Sequence, residues 1–185
     1  MALRFYNTLT QKVEEFSTLH DKEVRMYTCG PTVYNYVHIG NLRTFTFQDI
    51  LRRWLSERGY RLNHVMNITD VDDKIIRNAM REGKTLAEYT EVYTQAFIED
   101  SKKLRLQGPE RLVKATEHIE EMVRDIESLS AKGFTYTSDG SVYYRISKFN
   151  DYGKLSHMDF HGVQAGARVD VDEYGQCWAE MCVVP

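Results

Sequence analysis

The sequence is poor in the features that would take it out of a reducing, aqueous compartment. It has three cysteines, Cys29, Cys177 and Cys182. Their number is odd and their spacing makes no disulfide framework, so reduced thiols in a cytoplasmic protein are the expected state. No apolar run approaches the roughly 20 residues that span a bilayer. The opening residues, MALRFYNTLTQ, lack the apolar stretch of a secretory signal. There is no internal repeat and no low-complexity tract. Basic charge is not in excess either: 24 Lys and Arg stand against 27 Asp and Glu, a net charge of −3, which gives no support to a broadly basic nucleic-acid-binding surface. What remains is ordinary. With 42% hydrophobic and 28% charged residues, 185 residues suffice for one core, or one domain with a sizeable insertion, under a solvated surface.

Residues 24–28 read as a buried strand ended by Gly30 and Pro31. From 42 to 58, apolar Leu42, Phe45, Ile50, Leu51, Trp54 and Leu55 recur at helical spacing and predict one buried face, with Gly59 as the stop. Residues 61–68 read as a second strand, which completes a βαβ unit. The run Thr69, Asp70, Val71, Asp72, Asp73 predicts a helix start with Thr69 as its cap, and Gly83 predicts its end. Thr85 and Glu88 form a capping box ahead of a third helix running to about Leu104. Pro109 is expected to open a further helical region, with Ile119, Met122, Val123, Ile126 and Leu129 on one face and Gly133 after it. Residues 134–137 and 142–146 flank Asp139-Gly140, a hairpin signal. Beyond Gly162 the pattern fades.

The chemistry gathers in residues 31–41, PTVYNYVHIGN. They lie between the first strand and first helix, where a nucleotide-binding α/β domain places its phosphate loop. Gly40 allows a phosphate close to the backbone. His38 can donate a hydrogen bond to a phosphoryl oxygen as charge develops on it, and the helix N-terminus favours anions. Taken alone, H-I-G is equally a capped loop with a structural histidine. Cys29 offers a thiolate to zinc, at about 2.3 Å where such bonds form, but a zinc site needs further ligands and a core cysteine is the plainer reading. His157 and His161 have H-x₃-H spacing and Cys177 and Cys182 a C-x₄-C spacing; without a CxxC both pairs read as structural. Asp70, Asp72 and Asp73 can bind Mg²⁺ through carboxylate oxygens, yet helix N-terminal charge with one buried cap is the favoured reading. Trp54, Tyr34 and Tyr36 read as packing residues, and His20, His64 and His118 have no partner pattern.

Two long stretches, TCGPTVYNYVHIGNLRTF and NITDVDDKIIRNA, go further. With FYNTLTQKVEEF, KATEHI, AKGFTY, LSHMD and GARVDVDE, they resemble the N-terminal part of bacterial-type cysteinyl-tRNA synthetases, a class I aminoacyl-tRNA synthetase family, over residues 3–173. The resemblance implies an α/β fold: the N-terminal half of a Rossmann-like class I synthetase catalytic domain over 1–84, a connective α+β insertion over 85–173, and an unassigned tail over 174–185. It implies a cytoplasmic cysteine–tRNA ligase that activates cysteine with ATP and Mg²⁺ and transfers it to tRNA(Cys), with no membrane association. His38 and Gly40 match the family's HIGH signature. Asn41 stands where many members have the second His and retains an amide donor. By resemblance His38 and Asn41 are catalytic, His38, Gly40 and Asn41 bind ATP, Cys29 is the first Zn²⁺ ligand and meets the substrate cysteine, and Thr69 lines the cysteine pocket. A zinc–thiolate bond would select cysteine's sulfur more sharply than shape, which separates near-isosteres by about 10–200-fold.

The family's remaining zinc ligands and its second ATP signature, KMSKS, lie beyond where this sequence stops, and the tail after 173 departs from the family pattern. The expectation is a truncated member with an incomplete zinc site and weak zinc binding. Family members are often monomeric, but a half-built sheet would leave an open edge that favours self-association. The competing expectations are a non-catalytic nucleotide-binding fragment, a related cysteine ligase of thiol-cofactor biosynthesis, and an interaction fragment with no ligand.

Overall fold

A computed structural model describes residues 2–138 and 140–157, and the backbone of 180–184. In chain order run β1 (Arg4–Asn7), β2 (Lys12–Glu15), β3 (Glu23–Thr28), α1 (Ile39–Glu57), β4 (Arg61–Ile68), α2 (Asp73–Glu82) and α3 (Leu86–Lys103). Then come β5 (Arg111–Lys114), a 3₁₀ turn (Ala115–His118), α4 (Ile119–Ala131), β6 (Thr135–Ser138), β7 (Ser141–Arg145), a second 3₁₀ turn (Ile146–Lys148) and β8 (Glu180–Val184). The chain divides into two compact units, residues 17–119 and residues 1–16 with 120–185.

The unit of residues 17–119 is a three-stranded parallel sheet in the order β3-β4-β5. Residues two apart in a strand share a face, so His64, Met66 and Ile68 line the face on which Val24, Met26 and Thr28 also lie, given the pairing of Val24 with Leu62 and Met26 with His64. The helices bury against that sheet through Phe45 of α1, Met66 of β4 and Phe97 of α3, with Val37, Leu42, Ile98 and Leu106 packed around them. The Phe45 and Phe97 rings lie 4.9 Å apart. A second cluster, Ile75, Ala79 and Tyr89, joins α2 to α3.

Four expectations change here. Residues 111–114, expected to be helical after Pro109, are instead strand β5, parallel to β4. Such a pairing needs a crossover, which α2 and α3 supply, so the change of organisation expected at residue 84 falls inside this unit, which runs on to Ile119. The buried face of α1 is not the purely apolar one: Phe45 and Leu55 are buried together with Gln48, Asp49 and Arg52, while Ile50 and Trp54 are exposed. The polar residues go inside because each reaches a partner there, as when Asp49 Oδ1 accepts from the Gln107 N–H at 2.7 Å. The cap of α2 is Asp72, whose carboxylate accepts from the Ile75 N–H at 2.7 Å, not Thr69. Thr69 stands three positions before Asp72, so it is still part of the strand end and forms a bridge with Thr32. Asp72→Ala should therefore cost about 1 kcal/mol, seen as a lower midpoint in thermal melts; an unchanged midpoint would contradict the cap. The expected stops hold: Gly59 follows α1 and Gly83 ends α2, both with positive φ, and Thr85 with Glu88 boxes the start of α3.

In the other unit β1 and β2 form an antiparallel hairpin, closed by an Asx turn in which Asn7 Oδ1 accepts from the Leu9 N–H. The expected hairpin is present as β6 and β7, with β8 added antiparallel to β7. Tyr136 stacks on Tyr143 across it, 5.3 Å apart. His157 Nε2 is tied to the Thr8 carbonyl at 2.8 Å. His161, Cys177, Asp139 and the side chain of Cys182 lie outside the described residues, as does most of the tail.

Candidate active site at the carboxyl edge of the sheet

Ligands of parallel α/β sheets bind at the carboxyl ends of the strands. Here that edge carries the end of β3 with Cys29, the end of β4 with Thr69, and the N-terminus of α1 with His38, Gly40 and Asn41. The loop from 29 to 38 is sewn to β4 by backbone bonds. Thr69 N donates to the Pro31 carbonyl at 3.0 Å, and Val33 N donates to the Thr69 carbonyl at 3.1 Å. Val33 is buried beneath it. From the far side Tyr89 of α3 donates its hydroxyl to the Tyr34 carbonyl at 2.7 Å, and accepts from Asn78 Nδ2 at 3.1 Å. Tyr36 meets Tyr93 edge to face and Lys74 lies over the Tyr34 ring, but both tyrosines stay exposed, Tyr36 at 63%, rather than packing into a core as expected. The neighbouring Tyr89 and partial burial push the Tyr93 phenol up, which keeps it neutral.

His38 is the N-cap of α1. Its Nδ1 accepts from the Gly40 N–H at 3.0 Å, and its own N–H donates to Asn41 Oδ1 at 3.2 Å, a reciprocal capping box. An Nδ1 committed as acceptor puts the ring proton of neutral imidazole on Nε2. The exposed side chain thus presents one N–H donor at a helix N-terminus, where anions are favoured. A Cβ on Gly40 would stand 2.8 Å from His38 Cε1, so a larger residue there would turn the imidazole off its cap. Asn41 spends its Oδ1 on the cap and keeps its amide N–H₂ as donor.

Cys29 is exposed, with Sγ 3.6 Å from the Gly30 carbonyl. The acidic run does not converge on the site. Asp70 is buried and both its oxygens are taken by Thr116, from the N–H at 3.0 Å and the hydroxyl at 2.5 Å, while Asp72 caps α2.

The sequence reading missed Asn67, which touches both Gly30 and Thr69, and missed the network of Arg52, His64 and Glu110 behind the sheet edge. Period-two counting along β4 would have placed Asn67 on the same face as Thr69.

The family of tRNA synthetases class I (C) catalytic domains matches residues 15–179. The chain belongs to that family. It is 65% identical over 174 residues to a cysteine–tRNA ligase of Solibacter usitatus, covering 94% of this chain and 37% of that one. A cysteine–tRNA ligase of Koribacter versatilis is 60% identical over 175 residues, covering 94% and 35%. One of Treponema denticola is 45% identical over 183 residues, covering 94% and 37%. The chain thus spans little more than a third of the length of these relatives. Its α/β sheet with a loop-to-helix turn at the carboxyl edge agrees with a class I catalytic domain.

A zinc ion of the kind this family suggests does not fit the described residues. They hold no group of three or more His, Cys, Asp and Glu, and Cys29 is a single donor where zinc takes three or four protein ligands. Among the described residues no helix is long and apolar enough to cross a membrane.

Proposed function

We propose that this chain carries the amino-acid-activating site of a cytoplasmic cysteine–tRNA ligase, with ATP, cysteine and tRNA(Cys) as its substrates and Mg²⁺ accompanying the nucleotide. One observation carries the reading. At the head of α1, His38 has its Nδ1 locked on the Gly40 N–H and its Nε2–H free, a fixed donor aimed outward beside helix N–H groups. In activation a carboxylate oxygen of cysteine attacks the α-phosphorus of ATP. A new P–O bond forms, the bond from the α-phosphorus to the bridging oxygen breaks, and pyrophosphate departs with that electron pair. Such a reaction asks the protein to position groups and stabilise charge on the phosphoryl oxygens. His38 Nε2–H and the Asn41 amide supply donors, and Gly40 leaves room for the phosphates. Cys29 and Thr69, at the ends of adjacent strands, face the amino acid.

Cysteine-dependent ATP–pyrophosphate exchange, with zinc added, tests this. His38→Ala should lower the exchange rate by about 10²–10³-fold, the worth of one preorganised donor; an unchanged rate would remove His38 from the reaction. The same donors at the head of α1 would also serve a second reading, nucleotide binding without chemistry. Its signature is an ATP-induced rise in melting temperature with no exchange.

A further inference from the structure

The peptide between Cys29 and Gly30 is held at both ends. Gly30 N–H donates to Asn67 Oδ1 at 3.1 Å, and the Cys29 carbonyl accepts from Gln48 Nε2 at 3.4 Å. A peptide plane held at both ends fixes ψ of Cys29, and with it the direction in which the Cα–Cβ bond carries the thiol. The other end of the same Asn67 amide, Nδ2, donates to Thr69 Oγ1 at 3.2 Å. That bond selects a hydroxyl rotamer, since a Thr side chain has few staggered positions and a hydrogen bond chooses among them. One planar amide therefore touches the two strand ends that carry Cys29 and Thr69. Its acceptor and donor are a fixed distance apart, and it sits on β4, whose backbone lies against Gly30.

We infer that Asn67 is a positioning residue that sets the Cys29 thiol and the Thr69 hydroxyl in a single frame for the incoming amino acid, with Gln48 as the second hold on the Cys29 peptide. The inference rests on the functional reading above for the identity of that amino acid, but its geometry stands apart from it. Asparagine suits the place because it offers one acceptor and one donor on a short stem. Aspartate keeps the acceptor for Gly30 and loses the donor for Thr69. Alanine loses both.

The test uses the 185-residue chain, with Asn67→Asp and Asn67→Ala as variants, and reads three quantities. Hydrogen exchange of the Gly30 amide, followed by NMR, should be slowed at least about tenfold by the bond in the unmodified chain. Asn67→Ala should lose that protection and Asn67→Asp should retain it. Alkylation of Cys29 by iodoacetamide, measured on its own peptide by mass spectrometry, should change at least threefold in Asn67→Ala. In the pyrophosphate-exchange assay both variants should raise the half-saturating cysteine concentration about tenfold, the cost of one hydrogen bond at roughly 1.4 kcal/mol, and leave that for ATP unchanged. A purely structural role would move both concentrations together, and that result overturns the inference. So does an unprotected Gly30 amide in the unmodified chain, a result that needs no variant to fold. Absence of exchange in the unmodified chain would overturn the functional reading; the positioning of Cys29 would then stand or fall on the first two readouts.

Discussion

Arg52→Ala should cost the unit of residues 17–119 about 3 kcal/mol, the low end of the range for breaking a buried ion pair. The Arg52 side chain is only 7% exposed, and its two terminal nitrogens grip both oxygens of Glu110 at 2.8 and 2.9 Å. Nη1 also donates to His64 Nδ1 at 2.9 Å. Arginine only donates, so Nδ1 is the acceptor and the neutral ring keeps its proton on Nε2, which donates to Thr28 Oγ1 at 2.7 Å. The Glu110 carboxylate takes a further bond from the His64 N–H at 2.7 Å. Removing Arg52 would therefore leave the His64 Nδ1 without its donor and the Glu110 carboxylate with the His64 N–H but not its guanidinium. The loss is held to the low end because the Glu110 side chain is 39% exposed and water screens its share. Arg52→Lys keeps the charge but loses the two-pronged grip, and should recover less than half of the loss. Urea unfolding with unchanged slope is the measurement, and a shift below about 1 kcal/mol would refute the account.

The same network sets the response to acid. Arg52's hydrogen bonds hold the Glu110 carboxyl down at about 2, against an ordinary 4.5. That group adds stability above the unfolded value, and the contribution drains away as pH falls from 4.5 toward 2. Burial first, and then the charge of Arg52, lower the pKa of His64 from 6.5. The unfolded chain takes up that proton below about 6.5 while the folded ring resists it, so stability also declines as pH falls through this region. Melting temperatures of the unmodified chain should fall from pH 7 downward, and Glu110→Gln should flatten the portion below 4.5.

This network also marks where sequence reading stops. The boundaries of β4, the caps around Gly83 and Thr85, and the place of the loop before α1 are local matters: turn residues and short-range hydrogen bonds decide them, and they were legible. His64 had no visible partner because its partners stand 36 and 12 residues before it and 46 after it. The apolar pattern of α1 gave the helix but not its inner face. Counting hydrophobic residues cannot show that Gln48, Asp49 and Arg52 are buried by their partners while Phe47 stays 65% exposed. Strand β5 is four residues long, too short for alternation to declare itself, and its state is set by β4 beside it. Among Asp70, Asp72 and Asp73 the charge pattern was plain. Only the register of α2 could say that Asp72 caps the helix and that Asp70 turns away to Thr116.

Gly30→Ala should be the most damaging single methyl in the candidate site. A Cβ on Gly30 would lie 1.9 Å from the Asn67 carbonyl oxygen and 2.9 Å from Met66 Cγ. The methionine could swing aside, but the carbonyl belongs to the middle of the sheet and is fixed by its ladder. The loop must therefore lift away from β4, which lengthens the Gly30 N–H bond to Asn67 Oδ1 and disturbs the neighbouring Pro31–Thr69 pairing. Overpacking of this kind costs about 1–3 kcal/mol, and the buried polar groups it parts add to that. The displacement starts at Cys29 and reaches His38 through the loop, so ATP-induced stabilisation and cysteine dependence should both fall, in contrast to the cysteine-only effect expected at Asn67. Thermal melts with and without ATP would show it. An alanine variant that melts and binds as the unmodified chain does would mean that the loop does not lie against β4, and the site built on that contact would have to be abandoned.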